Sequence, residues 1–79
     1  MSTVYVVDDD DSVREAVGAL VRSAGLTVQT FSSAQEFLAF PRPDVPSCLV
    51  LDVQLPGLSG FDLQEELAKG NVQIPIIFL

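Results

Sequence analysis

The sequence predicts an α/β fold in which helices cover the faces of a parallel sheet. Two apolar runs without polar alternation, at residues 3–7 and 48–51, are typical of strands buried on both faces of such a sheet. Between these runs the apolar residues recur at helical spacing, and the predicted order is β-α-β-α-β-α-β. Short connections require right-handed crossovers, so a doubly wound sheet is the expected architecture.

Size and charge restrict the classes of protein to be considered. The chain has 79 residues, enough for one domain at most, so residues 1–79 are expected to belong to a single domain. Eleven acidic and four basic residues give a net charge of −7. Nucleic-acid binding depends on Lys and Arg at the phosphates, so direct binding by this segment is not expected.

The apolar content and the single cysteine indicate a folded protein in a reducing compartment. A hydrophobic fraction of 48% is far from the composition of disordered chains, yet no run reaches the roughly 18 apolar residues of a membrane span. Cys48 has no second cysteine to pair with and lies in an apolar run, so we expect a buried free thiol. These features favour a cytoplasmic location.

The first half of the chain predicts two strands and two helices. A strand at 3–7 precedes a helix at 11–24, for which Gly25 is a suitable C′ residue. The apolar positions expected to face inward are Val13, Ala16, Val17, Leu20, Val21 and Ala24. Alternation at 26–31 predicts an outer strand. Ser33 and Glu36 then have capping-box spacing, with Ser33 accepting from the Glu36 amide and Glu36 reaching back.

The second half predicts a proline-rich loop, a buried strand, a helix and a last strand. The strand at 48–51 is followed by a loop at 53–59 and by a helix that ends at Gly70 or Asn71. The apolar run at 74–79 predicts a fourth buried strand. The five phenylalanines and Tyr5 are assigned to the core, where the Tyr5 hydroxyl needs a hydrogen-bond partner.

Carboxylates follow both of the buried strands. Asp8 and Asp9 end the first strand and Asp52 ends the third, so the three side chains converge if these strands are neighbours. Two unit charges about 5 Å apart repel by roughly 3 kcal/mol at an effective dielectric of about 20, so a proton or a cation must offset them. Oxygen ligands without His or thiolate favour Mg²⁺, and such a site suits phosphoryl transfer to an Asp nucleophile.

The same residues resemble the receiver domain of two-component response regulators. The resemblance rests on Val6-Val7-Asp8-Asp9-Asp10, on Leu49-Val50-Leu51-Asp52 and on Leu55-Pro56-Gly57-Leu58-Ser59-Gly60. Within that family the chain is most similar to receivers of nitrogen-fixation-type transcriptional regulators. The resemblance implies a flavodoxin-like receiver fold with strand order 2-1-3-4, in which the last α-β-α portion is missing.

The resemblance also implies a role for each residue of the site. Asp52 would accept a phosphoryl group from the phospho-His of a sensor histidine kinase. Asp8 and Asp9 would form the acidic pocket that organises Mg²⁺. Asp9 and Asp52 would be direct ligands, Asp8 would act largely through water, and the backbone carbonyl of Gln54 would complete the protein's ligands.

Further expectations concern the loop after the phosphoacceptor and the output of the protein. Pro56 and Gly60 would shape the loop that holds Asp52 and start the third helix. The protein would not be a turnover enzyme, because the phosphoryl group is accepted on its own side chain. It would control an output domain C-terminal to the receiver, with any DNA binding located there.

The sequence departs from the family pattern in its last part. Receivers carry a Thr or Ser at the end of the fourth strand and a Lys at the end of the fifth, and neither position exists here. The single lysine, Lys69, is interpreted as a solvated cation at the end of the third helix. The chain therefore looks truncated after the fourth strand, and an alternative is a degenerate receiver that acts only in interaction, as a homodimer or by strand exchange through that strand.

Other interpretations of the acidic residues are a helix cap and two other classes of phosphate or metal site. Asp10 and Asp11 fit the cap and first turn of a helix. An EF-hand loop starting at Asp8 is excluded, because Val13 and Ala19 occupy the positions that need Gly and Glu. A haloacid-dehalogenase-type phosphatase would use Asp8 as its nucleophile, but that superfamily needs a much longer chain.

Overall fold

The elements of the structure follow the predicted order. The computed structural model describes residues 2–41, 43, 45–52, 60–70 and 74–79, with the backbone alone at 60 and 61. Its elements are β1 (Thr3–Val7), α1 (Asp11–Ser23), β2 (Thr27–Phe31), α2 (Ala34–Ala39), β3 (Ser47–Leu51), α3 (Gly60–Lys69) and β4 (Ile76–Phe78). The predicted elements are therefore confirmed, with ends that differ by one or two residues. The predicted burial is wrong for β4, which has no buried residue, and is met on only one face of β3.

The four strands form one parallel sheet in the order β2-β1-β3-β4. This confirms the order expected from the sequence. All five residues of β1 are buried, as expected for a central strand that is covered on both faces. Val7 is in register with Phe31 of β2 and with Leu51 of β3, so the three strands end at the same edge of the sheet.

The hydrophobic core lies between one face of the sheet and the helices α2 and α3. Its buried members are Tyr5, Val7, Phe31, Ala34, Phe37, Leu49, Leu51, Leu63 and Leu67, with Phe40, Ile74, Ile76 and Phe78 packed against them. The assignment of the aromatic residues to the core is thus confirmed for Tyr5, Phe31 and Phe37. The side chain of Phe61 lies outside the described part of the chain.

Helix α1 packs mainly against β2 and β1, and buries less of its apolar stripe than predicted. Val13, Val17 and Val21 are half-buried, but Ala16 and Ala24 are exposed, and Leu20 is 71% exposed. The prediction that all six positions face inward is therefore wrong for these three residues. The helix lies on the β1–β2 half of the sheet, and part of its stripe meets no covering element among the described residues.

Local hydrogen bonds define both ends of α1. The Asp10 side chain accepts the amide N–H of Ser12 at 2.8 Å and that of Val13 at 3.2 Å, so Asp10 is the N-cap, as predicted. Gly25 has a φ of 81°, a left-handed conformation that glycine adopts without steric cost. Its N–H donates to the carbonyl of Arg22 at 2.9 Å, which confirms Gly25 as the residue that ends the helix.

The start of α2 differs in one bond from the predicted capping box. The Ser33 hydroxyl accepts the amide N–H of Glu36 at 3.2 Å, as predicted. The Glu36 carboxylate, however, reaches one residue further back and accepts the backbone N–H of Ser32 at 3.0 Å and its hydroxyl at 2.9 Å. These two donors stabilise the charged form and lower the pKa of the Glu36 carboxyl.

Two predictions from composition can be compared with the structure. None of the helices in the described ranges is long and apolar enough to cross a membrane. Cys48, at the second position of β3, is a free cysteine that is half-buried. The expectation of a buried thiol is therefore wrong, because the face of β3 that carries Cys48 lies beyond the part of the sheet that α1 mainly covers.

The hydroxyl of Tyr5 is a buried polar group within the hydrophobic core. Tyr5 is 1% exposed, and its hydroxyl has no hydrogen-bond partner among the described residues, contrary to the expectation from sequence. The rings of Phe31, Phe37 and Phe40 surround it at centroid distances of 5.5–6.2 Å. An unpaired buried hydroxyl costs about 1–3 kcal/mol.

We therefore expect Tyr5→Phe to raise the free energy of unfolding by about 1 kcal/mol in urea denaturation. The removed atom makes no hydrogen bond, and the ring that packs against the phenylalanines is kept. A lower free energy of unfolding in this variant, at an unchanged denaturant slope, would mean that the hydroxyl is satisfied.

Candidate functional site

Three carboxylates converge at the carboxyl ends of β1 and β3. Asp8 and Asp9 follow β1, Asp52 follows β3, and one carboxylate oxygen from each lies within 4.8 Å of the others. Asp8 is buried, at 6% exposure, whereas Asp52 is half-buried and Asp9 is exposed. The structure thus brings together the three acids whose convergence the sequence predicts, in a cluster that is open to solvent on one side.

The sheet determines where this cluster forms. The chain leaves β1 to form β2 on one side and later returns to form β3 on the other, so the ends of β1 and β3 border the point where the strand order reverses. Ligands of open α/β sheets bind at this point. The Asp8 N–H donates to the Phe31 carbonyl at 3.1 Å and the Asp52 N–H donates to the Val7 carbonyl at 3.2 Å, which fixes both backbones at the sheet edge.

The turn after β1 fixes the buried acid. One carboxylate oxygen of Asp8 accepts the backbone N–H of Asp10 at 2.9 Å, which leaves its second oxygen for another partner. Asp9 therefore lies between two residues that are held by hydrogen bonds. Its exposed carboxylate accepts no hydrogen bond from the described residues, so it can turn toward a ligand at little cost.

The chemistry of the three donors suits a hard divalent cation. All three are carboxylate oxygens, with neither imidazole nor thiolate among them, which is the donor set that Mg²⁺ prefers. In an octahedral Mg²⁺ site with bonds of about 2.1 Å, opposite ligands lie about 4.2 Å apart. Separations of up to 4.8 Å are close to this limit, so a small inward movement would bring the three oxygens to the distances that Mg²⁺ needs, with waters as its remaining ligands. The residues therefore fit the ion.

The remaining predicted site residues are placed only in part. Gln54 and Pro56 lie outside the described residues. Gly60 is the first residue of α3. Lys69 ends the same helix, is exposed, and pairs with Glu66 at 3.4 Å, which agrees with its interpretation as a solvated cation.

Sequence reasoning missed one residue next to the site, Arg14. Its guanidinium donates from Nη1 to the backbone carbonyl of Asp8 at 2.6 Å, and its Nη2 pairs with the carboxylate of Asp11. The spacing from Asp11, three residues earlier on the same face of the helix, could have predicted the ion pair but not the bond to Asp8. A contact with a carbonyl leaves no trace in a pattern of charges.

Comparison with known proteins identifies the class that this fold and this acidic edge define. Residues 4–79 match the family model described as the response regulator receiver domain. The chain belongs to that family. It is 59% identical over 76 residues to nodulation protein W of Bradyrhizobium diazoefficiens, covering 96% of this chain and 34% of that protein.

Two further similarities extend this result to transcriptional regulators and to solved structures. The chain is 41% identical to the transcriptional regulatory protein FixJ of Azorhizobium caulinodans, covering 96% of this chain and 36% of that protein. It superposes on the structure of the response regulator StyR with a TM-score of 0.92 at 53% identity, covering 98% of this chain and 39% of that one. The chain thus spans about a third of the length of the curated relatives it matches.

Proposed function

We propose that this receiver accepts a phosphoryl group on Asp52, in a Mg²⁺-dependent reaction with the phospho-His of a sensor histidine kinase. The observation that supports the proposal is the convergence of Asp8, Asp9 and Asp52 within 4.8 Å at the ends of β1 and β3. A single acidic side chain would suffice for a helix cap or a turn. Three carboxylates from two neighbouring strands instead form a site with the charge and donors for a cation, which would in turn attract a phosphoryl group.

Each residue has a separate part in the proposed reaction. A carboxylate oxygen of Asp52 attacks phosphorus, the P–O bond forms, and the P–N bond to the kinase imidazole breaks. Asp9 and Asp52 would hold Mg²⁺ directly, Asp8 would act through water, and the carbonyl of Gln54 would complete the set. Bound Mg²⁺ would neutralise negative charge on the phosphoryl oxygens.

The hydrogen bonds around Asp8 support its indirect role. Its carboxylate is held against the backbone of Asp10 and is the most buried of the three, so it has the least freedom to move toward an ion. Asp9 is exposed and free to adjust. A water on Asp8 would span the remaining distance, while Asp9 approaches the ion itself.

The phosphorylated receiver would act on another part of the protein. Covalent phosphate places nearly two negative charges at the sheet edge in place of the single charge of the Asp52 carboxylate, which shifts the balance between two conformations. Because the matched relatives include a transcriptional regulator, we propose a C-terminal output domain that binds DNA. In this proposal residues 1–79 are the N-terminal portion of the receiver domain, which acts in the cytoplasm.

Labelling with a small phosphodonor tests this proposal. The protein is incubated with acetyl phosphate and MgCl₂, or with acetyl phosphate and a chelator, and its intact mass is measured. We expect one phosphoryl group to be added with Mg²⁺ and none with the chelator. Equal incorporation under the two conditions would contradict the proposed metal dependence, and no incorporation would contradict the phosphoacceptor role.

A second candidate function, self-association, is favoured by the exposed apolar residues at β4. Strand β4 is an edge of the described sheet, Ile77 is 52% exposed and Leu79 is 58% exposed. An apolar edge strand is a template for pairing with another chain. We propose that this edge supports a homodimer, formed by edge pairing or by strand exchange.

Under this second proposal, Ile77→Lys should shift the protein from dimer to monomer in sedimentation velocity, because a lysine on an edge strand opposes pairing. Gln29→Lys is the matched control, because it adds the same charge to β2, the opposite edge strand, at an exposed position. A wild-type protein that stays monomeric at high concentration would contradict the proposal.

A further inference from the structure

We propose that Arg14 is a positioning residue for the acidic site. Its guanidinium would hold the turn after β1 in the conformation that presents Asp8 and Asp9 to Mg²⁺. This inference rests on the proposed function, because it concerns the same site. The Arg14 side chain contacts the backbone of the site, at the Asp8 carbonyl, but is not one of the expected Mg²⁺ ligands.

Three hydrogen bonds form a closed ring that joins the end of β1 to the first turn of α1. The Asp8 carboxylate accepts the N–H of Asp10 at 2.9 Å, and the Asp10 carbonyl accepts the N–H of Arg14 at 3.0 Å. The guanidinium of Arg14 then returns to the carbonyl of Asp8 at 2.6 Å. Asp9 is the residue enclosed between Asp8 and Asp10, so the ring determines where its backbone lies.

The two bonds of the guanidinium differ in environment. The Arg14 side chain is 17% exposed, whereas that of its ion-pair partner Asp11 is 88% exposed. Exposed ion pairs are screened by solvent and contribute little. The bond to the Asp8 carbonyl is partly buried and charge-assisted, so it is the stronger restraint.

This restraint matters because a metal site needs its donors at fixed positions before the ion arrives. Groups that orient metal ligands, without being ligands, typically change metal affinity about 10- to 100-fold when they are removed. A role based on charge alone would have the opposite sign, because a cation beside three carboxylates repels Mg²⁺. The change in Mg²⁺ affinity when Arg14 is replaced therefore distinguishes a positioning role from an effect of its charge alone.

The test is an Mg²⁺ titration of Arg14→Met and Arg14→Lys, followed by the NMR signals of the Asp9 and Asp52 amides. We expect Arg14→Met to raise the Mg²⁺ dissociation constant about tenfold. Arg14→Lys keeps the charge and can donate one bond, so a smaller increase is expected. In both variants the Asp10 amide, which donates to Asp8, should exchange with solvent faster than in the wild type.

Two control variants separate the positioning role from other effects. Arg22→Met removes the same charge from an exposed position of α1, and Asp11→Asn removes the ion pair while keeping the bond to Asp8. Both should bind Mg²⁺ as the wild type does. Thermal unfolding of each variant sets a titration temperature at which every protein is folded, so a change in stability alone cannot alter the result.

The outcomes are distinguishable. Unchanged or tighter Mg²⁺ binding by Arg14→Met, beside a wild type that binds, would overturn the inference and leave the proposed function intact. A wild type that does not bind Mg²⁺ would refute the proposed function. In that case an Asp10 amide that exchanges equally in wild type and Arg14→Met would also refute the positioning role.

Discussion

Asp52→Asn is expected to lower phosphoryl incorporation from acetyl phosphate more than about 100-fold at saturating Mg²⁺, measured by intact mass. The carboxylate oxygen of Asp52 is the proposed nucleophile, and a neutral amide is a far weaker one. The substitution is nearly isosteric. The Asp52 backbone bond to Val7, at 3.2 Å, does not involve the side chain, so the fold should be retained.

Glu65→Gln is the control for this experiment. Glu65 is exposed on α3, and the substitution removes the same charge from the protein. It should incorporate phosphate as the wild type does. Undiminished incorporation by Asp52→Asn would contradict the assignment of the phosphoacceptor.

Asp9→Asn is expected to raise the Mg²⁺ dissociation constant at least about tenfold. Asp9 is the proposed direct ligand with the most exposed carboxylate, and an amide oxygen carries no charge to attract the ion. Without Mg²⁺, the loss of the Asp9 charge should favour the folded state, because each pair of carboxylates about 5 Å apart repels by roughly 3 kcal/mol at an effective dielectric of about 20. The metal-free variant should therefore be at least as stable as the metal-free wild type.

Two measurements check this prediction together. Calorimetric titration gives the dissociation constant, and thermal unfolding with and without MgCl₂ gives the stabilisation that the ion provides. The wild type should gain stability on adding Mg²⁺, whereas Asp9→Asn should gain little. An equal gain in both proteins would exclude Asp9 as a ligand, and Glu65→Gln again controls for net charge.

The central part of the fold and the acidic cluster could be predicted because both depend on patterns in sequence. Apolar runs without polar alternation identified β1 and β3 as strands, although only β1 is buried on both faces. The carboxyl ends of parallel neighbours meet at one edge, so acids following these two strands had to converge. Asp10 and Gly25 were predictable because caps depend on local geometry.

Other features depend on contacts that cannot be inferred from the spacing of residue types along the sequence. Leu20 continues a regular apolar stripe, yet it is exposed because the position of α1 on the sheet decides which part of the stripe is covered. Glu36 bonds to Ser32 because the loop before α2 brings that residue within reach. Arg14 contacts a backbone carbonyl, a partner present at every residue and therefore invisible in a sequence.

The most direct test of the proposed function is to locate the phosphoryl group on the wild-type protein. After labelling with acetyl phosphate and MgCl₂, borohydride reduction converts a phosphorylated aspartate to homoserine, which tandem mass spectrometry of tryptic peptides can locate. Cleavage after Arg14 and Arg22 separates Asp8 from Asp52. We expect homoserine at position 52 alone, whereas modification at Asp8, the nucleophile of a haloacid-dehalogenase-type site, would contradict the assignment of Asp52 as the phosphoacceptor.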